Sequence, residues 1–272
     1  MLNVLSKFFA VLVLLLLLIV ASGGISQKSR WKIIEIRISG NAVVSGDALA
    51  SSVHRKLQGN YFFVYARANS FLFPRREIEA GLMGEFARLK SVAVRRFDAH
   101  TIVVDVLERK PFMLWCGEVF EPAGTVLADC WFVDEDGFIF DRAPVFSDGV
   151  YREVYATLAR VENETPLRGV IPSPRFLFAR SVGEGVEREL GDVSRVFIKP
   201  EGEYGIVIRS SARYPALEGA EVRFKEAQSA ERLIQNLLSA LLVEFPAGQS
   251  SSKKLLYIDL RFGNKVFFGF ED

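Results

Sequence analysis

The sequence predicts an α+β fold, on three observations. An apolar stretch near the N-terminus reads as helix. The residues after it switch between the two-residue period of strands and the four-residue return of amphipathic helices. From Pro111 onward, short strand-like runs alternate with turn residues. These features divide the 272 residues into a tail, apolar anchor and linker (1–29), a mixed module (30–110) and a sheet-dominated module (111–272).

From Phe8 to Ala21 the chain has no polar side chain. Such a run makes roughly 21 Å of helix, against a hydrocarbon core about 30 Å thick. Adding residues 22–25 and letting Lys7 snorkel brings it to a marginal span. A cleaved signal peptide competes, because Ala21-Ser22-Gly23 supplies small residues behind the apolar run. The Leu-dense run and the lack of an A-x-A site favour a retained, single-pass transmembrane helix. Lys28, Arg30 and Lys32 would by count place the following residues inside the cell. A very short tail nevertheless stays cytoplasmic, and a folded domain translocates largely regardless of charge. The bulk of the chain is therefore expected outside the cytoplasm.

The mixed module opens on strict alternation from Lys32 to Ser39, with Ile34, Ile36 and Ile38 on one face. Ser45 suits a helix N-cap, and Leu49, Val53 and Leu57 follow at four-residue intervals up to Gly59. Pro74 begins a second helix through Ile78, Leu82 and Phe86. Strands over 91–97 and 101–108 complete a β-α-α-β-β order, which needs a three-stranded sheet with both helices on one side. The aromatic stretches Tyr61-Phe62-Phe63 and Phe71-Leu72-Phe73 are expected to pack beneath those helices.

In the second module, strands at 130–133 and 138–140 flank an Asp-Gly turn. A further strand is expected at 150–158, and a weak helix behind Ser173-Pro174. The runs 193–199 and 203–210 form a hairpin. A strong helix from Ser229 carries Leu233, Leu237 and Leu241, and Pro246 stands beyond its end. The chain closes with a strand at 255–262, a Gly263-Asn264 turn and a last strand from Lys265.

Chemistry-bearing residues are sparse. A net charge of +1 lacks the positive field of a nucleic-acid binder. Cys116 and Cys130 are the only cysteines; they form either an exported disulfide or two thiols packed beside Trp115 and Trp131. The disulfide, preferred here, would close a loop worth about 3 kcal/mol. His54 and His100 lie in no catalytic motif, so no catalytic residue is expected. Asp134, Glu135 and Asp136 lack the further oxygen ligands of a calcium loop, and no metal site or cofactor is expected. Gly183-Glu184-Gly185 reads as a break in structure. Arg95-Arg96 and Glu108-Arg109-Lys110 read as solvated charge at strand ends, open to a partner or anionic lipid.

Several stretches together resemble a known family. They are Ile36-Arg37-Ile38-Ser39-Gly40-Asn41, Ser91-Val92-Ala93-Val94-Arg95-Arg96, and Val104 through Pro111. Phe132-Val133-Asp134-Glu135-Asp136-Gly137 and Tyr257-Ile258-Asp259-Leu260-Arg261-Phe262 complete the set. The mixed module is similar to a POTRA domain, and the whole chain resembles the FtsQ/DivIB cell-division proteins of bacteria. Residues 160–190 and the minimal tail depart from that pattern. The resemblance implies a non-catalytic divisome scaffold in the cell membrane at the septum. It would bind bitopic partners of the FtsB/DivIC and FtsL kind and help recruit septal peptidoglycan synthesis proteins. It also implies that the last strand offers an open edge, which points to Tyr257, Phe262, Lys265, Val266, Phe267 and Phe268 as partner-binding residues. An exported enzyme or ligand-binding protein, and a POTRA-bearing secretion component, are the alternative readings.

Overall fold

The computed structural model describes residues 2–120, 129–147, 149–162, 165–226, 229–246 and 253–271. The chain folds as two compact units, Met1–Arg109 and Lys110–Asp272.

The first unit begins with helix α1 (Leu2–Ser26), longer than the apolar run alone. The helix continues through Gly23-Gly24 because its end is tied down. The Ser22 and Ser26 hydroxyls donate to the carbonyls of Ile19 and Gly23, each at 2.8 Å. Residues 6–26 are long and apolar enough to cross a membrane.

Then follow β1 (Glu35–Ser39), α2 (Gly46–Leu57), a small hairpin of β2 (Asn60–Tyr61) and β3 (Tyr65–Ala66), α3 (Arg75–Glu85), β4 (Leu89–Arg96) and β5 (Thr101–Glu108). The sheet order is β1-β5-β4, with β1 parallel and β4 antiparallel to the central β5. Leu49, Val53 and Leu57 of α2 and Ile78 and Leu82 of α3 share one core with Val94, Ile102, Val104 and Val106. Burying those apolar rows on one sheet face is what holds the two helices there.

Strand β1 starts three residues later than its alternation suggests, since Lys32 bridges to Asn69 and Ile34 is exposed. Ser45 caps α2, its Oγ accepting from the Ala48 amide at 3.4 Å. Gly40 adopts φ +83°, and a Cβ there would lie 2.0 Å from the Val106 carbonyl oxygen. That close approach accounts for glycine after Ile-Arg-Ile-Ser. Glu108 is no solvated strand end: its carboxylate accepts from the amides of Ala42, Val43 and Val44. Burial raises its pKa, but these three donors outweigh burial and hold it below the ordinary value.

The aromatic stretch differs from expectation. Phe62 and Phe63 are 88% and 96% exposed at the tip of the β2–β3 hairpin, and Phe71 and Leu72 are also exposed. Only Phe73 of those residues packs against the core. The hairpin pairs with itself and joins no larger sheet, so its tip has no core to enter.

The second unit is built on one nine-stranded sheet. Its strands are β6 (Met113–Trp115), β7 (Trp131–Val133), β8 (Ile139–Arg142), β9 (Glu153–Ala156), β12 (Asp192–Ile198), β13 (Glu203–Ser210), β14 (Glu221–Lys225), β15 (Leu255–Phe262) and β16 (Lys265–Phe270). They run in the order β16-β15-β14-β13-β12-β9-β6-β7-β8. A separate ribbon of β10 (Arg160–Glu162) and β11 (Thr165–Val170) precedes α4 (Ser173–Glu189), and α5 (Ala230–Glu244) precedes β15. Both helices share the main core with alternate residues of the sheet, such as Met113, Val196, Ile206, Val222 and Ile258. The other face of β6–β9 carries Leu114, Cys116, Phe132, Phe140 and Tyr155 as a second cluster.

Gly183 and Gly185 do not break the chain; they lie inside α4 on its buried face. A Cβ at Gly185 would stand 2.9 Å from Ile234 Cγ1 of α5. The pair reads as a break by propensity, whereas at Gly185 the close approach of α5 is what calls for glycine.

Candidate functional site

The sheet ends at β16, which pairs with β15 alone among the described residues. Below this edge lies α5. Leu233, Leu237 and Leu241 recur every fourth residue and share the core with Leu255, Ile258 and Leu260 of β15. Ser229 caps α5, its Oγ accepting from the Arg232 amide at 3.4 Å.

The six residues singled out by the resemblance fall on different faces. Val266 and Phe268 turn toward the core, the Phe268 ring 6.1 Å from that of Phe245. Phe267 turns outward and is exposed, as strand alternation requires. Phe262 does not share the buried face of Ile258 and Leu260. The register shifts between Asp259 and Phe262, leaving Phe262 exposed with its ring edge-on to Phe267 at 5.3 Å. Lys265 is exposed beside the turn. Tyr257 lies over Gly269, where a Cβ would come within 2.2 Å of the ring, and Arg223 sits 4.1 Å above that ring.

Sequence reasoning missed the charge network that backs this face. Arg261 donates to Asp259 and to Glu203, each at 2.6 Å, and Lys225 meets Glu203 at 3.1 Å. Arg223 pairs with Glu221 at 2.7 Å. Burial pushes the Asp259 pKa up, but the Arg261 hydrogen bonds outweigh it and leave the carboxyl below its ordinary value. Lys225, then Arg261, lower the pKa of Glu203, and Asp259 raises that of Arg261. The signal was present as charged residues alternating with Val222, Phe224 and Ile258, but their alignment comes from the registers Glu203↔Lys225 and Arg223↔Asp259.

Elsewhere, Cys116 and Cys130 form a disulfide. They flank the paired Trp115 and Trp131, so β6 and β7 bring the sulfurs together at the end of their ladder. His54 is exposed, and His100 Nδ1 lies 3.0 Å from the Lys32 carbonyl oxygen. The Asp134 carboxylate accepts from the amides of Asp136 and Phe138, bracing the β7–β8 turn. Arg95 pairs with Asp105 at 3.1 Å, and Arg96 lies over Phe71. Among the described residues, no group of three or more His, Cys, Asp and Glu is placed to hold a metal ion.

The molecule is thus an α+β protein with an N-terminal apolar helix and a sheet-rich body ending in an edge strand. No protein-family model and no curated protein matches the chain.

Proposed function

We propose that this chain is a membrane-tethered, non-catalytic scaffold of the FtsQ/DivIB kind. In this reading α1 is retained as a single-pass anchor and both folded units lie outside the cytoplasm. The first unit is a POTRA domain, a reading supported by its β1-β5-β4 sheet and by α2 and α3 on that sheet's core, with the β2–β3 hairpin set between the two helices. The second captures a bitopic division partner of the FtsB/DivIC or FtsL kind, through which septal peptidoglycan synthesis proteins are recruited. An exported disulfide fits this placement, because such bonds persist in oxidising compartments.

The observation that carries the reading is the position of β16. It is the last strand of the sheet and, among the described residues, pairs on one side only. Backbone donors and acceptors along such an edge accept an added strand, and flanking side chains select it. Phe267 and Phe262 stand exposed beside that edge, ready to meet alternate side chains of a partner strand.

The test is capture of purified bitopic partners by the full chain in membranes. Phe267→Pro removes one backbone donor and should abolish capture, as should truncation after Asn264. Phe267→Ala should weaken capture without abolishing it, since main-chain bonds supply much of the affinity of strand addition. Each variant must retain a cooperative unfolding transition. Normal capture by a folded Phe267→Pro protein sinks the edge-strand mode.

A further inference from the structure

The β2–β3 hairpin combines features that folding of the first unit does not require. Its turn closes with the Val64 amide donating to the Tyr61 carbonyl at 3.0 Å. Both central residues have positive φ, +48° for Phe62 and +62° for Phe63. That geometry favours Asn-Gly, and bulky side chains there are strained. Both side chains are also almost fully exposed, at 88% and 96%. Two large apolar residues are held where backbone preference and water both disfavour them.

What the hairpin packs against gives the reason. It clasps the end of α1 through a run of specific contacts. Asn69 Nδ2 donates to the Ser26 carbonyl at 2.8 Å, and the Ala66 amide donates to Ser26 Oγ at 3.2 Å. Gln27 Nε2 donates to the Val64 carbonyl at 2.9 Å, and the Tyr65 and Ser22 hydroxyls lie 2.8 Å apart. Gly23 sits directly under Val64, where any Cβ would come within 2.0 Å of Val64 Cγ1. Asn69 and Ala66 meet Ser26, Tyr65 meets Ser22, and Val64 meets both Gly23 and the Gln27 side chain. The hairpin thus lies against the last turns of α1, next to its apolar run.

Depth follows from length. No charged side chain lies between Lys7 and Lys28. At 1.5 Å per residue the intervening helix is about 30 Å long, which matches a hydrocarbon core. The boundary between lipid tails and headgroups then falls on the turns the hairpin clasps. Tyr61, Tyr65 and Trp31 are half-buried near that level, with Arg67 over Tyr61 and Arg30 over Trp31. Aromatic rings with basic partners are the side chains enriched at the headgroup zone of a bilayer.

We infer that the β2–β3 hairpin is a membrane-dipping anchor, with Phe62 and Phe63 inserted among the lipid acyl chains beside α1. The helix tethers the first unit, and the hairpin fixes how that unit stands on the membrane. The inference rests on the reading of α1 as a membrane-embedded helix, and its occupant is lipid.

The experiment places a benzophenone amino acid at position 62 or 63 of the full chain in nanodiscs of phosphatidylethanolamine and phosphatidylglycerol. Irradiation should give lipid adducts at both positions and none at Val43, an exposed apolar residue beyond the far end of β1. Adding Gly23→Val should pry the hairpin from α1 and cut adduct formation at position 63. A chain that enters nanodiscs yet forms no lipid adduct at 62 or 63 overturns the hairpin proposal and leaves the anchor reading standing. Failure to enter nanodiscs overturns both. Unchanged adducts in the Gly23→Val protein overturn the clasp as the means of delivery.

Discussion

Two exposed phenylalanine pairs sit on hairpins of this protein, and their backbones differ. At Phe262 and Phe267 the turn itself is made by Gly263 and Asn264, with Gly263 at φ +69°. Glycine takes that conformation freely, so the phenylalanines remain in strand geometry and meet edge-on. At Phe62 and Phe63 the aromatic residues occupy the positive-φ positions themselves. The surroundings differ as well. The C-terminal pair is backed by Arg261, Asp259, Glu203 and Lys225, a setting suited to water and a polar partner strand. The hairpin that carries Phe62 and Phe63 packs through Val64 on the end of an apolar helix. Exposed apolar area alone therefore does not define a ligand; the neighbours do.

The comparison can be broken most strongly at Gly269. A Gly269→Val change forces the Tyr257 ring off β16 and with it the Arg223 stack. Overpacking of this kind costs about 1–3 kcal/mol. Chemical denaturation should show that loss in the second unit, with the first unit unchanged. No loss would mean that the ring swings away freely and the edge is soft.

A smaller effect is expected from acid. Asp259 and Glu203 both have pKa values lowered from the ordinary 3.8 and 4.5. A lowered carboxylate contributes stability that is fully present above the ordinary value and lost as pH falls through the folded one. Protection factors of the β15 and β16 amides, taken relative to intrinsic exchange at each pH, should thus be steady down to the ordinary carboxylate range and fall below it. In Arg261→Met the guanidinium hydrogen bonds vanish while burial and the residue 261 amide bond remain, so the Asp259 carboxyl should titrate higher by NMR than in the unaltered protein. A carboxyl whose titration does not move in this variant would assign the shift to the backbone amide and Arg223 instead.

The smallest stability effect is expected at the hairpin tip. Replacing Phe62 and Phe63 with serine removes no buried contact. The free energy of unfolding in detergent should stay within the change of about 0.5 kcal/mol usual for surface sites. A large loss would show that the rings support the fold, and the contrast between the two pairs would collapse.

The local rules were strong where one residue's chemistry settles the matter. Ser45 and Ser229 cap their helices, Leu49, Val53 and Leu57 are buried, and Asp134 braces a turn. These outcomes depend on neighbours within a few residues, so spacing reveals them. Gly183 and Gly185 show where local rules end. By propensity they interrupt a helix, yet both lie on the buried face of α4, where Gly185 lets Ile234 of α5 approach.

The sequence by itself determined the apolar helix, the apolar stripes of α2 and α3, the α5 stripe and the closing strand pair. Each is written as a periodicity in consecutive residues. Tertiary structure alone decided that β16 is an edge, that Phe262 leaves the buried face, and that Glu203 meets Arg261. It also turned Phe62 and Phe63 outward beside α1. The reason is common to all four: sheet order, register and packing join residues tens of positions apart, and no local period encodes which ones meet.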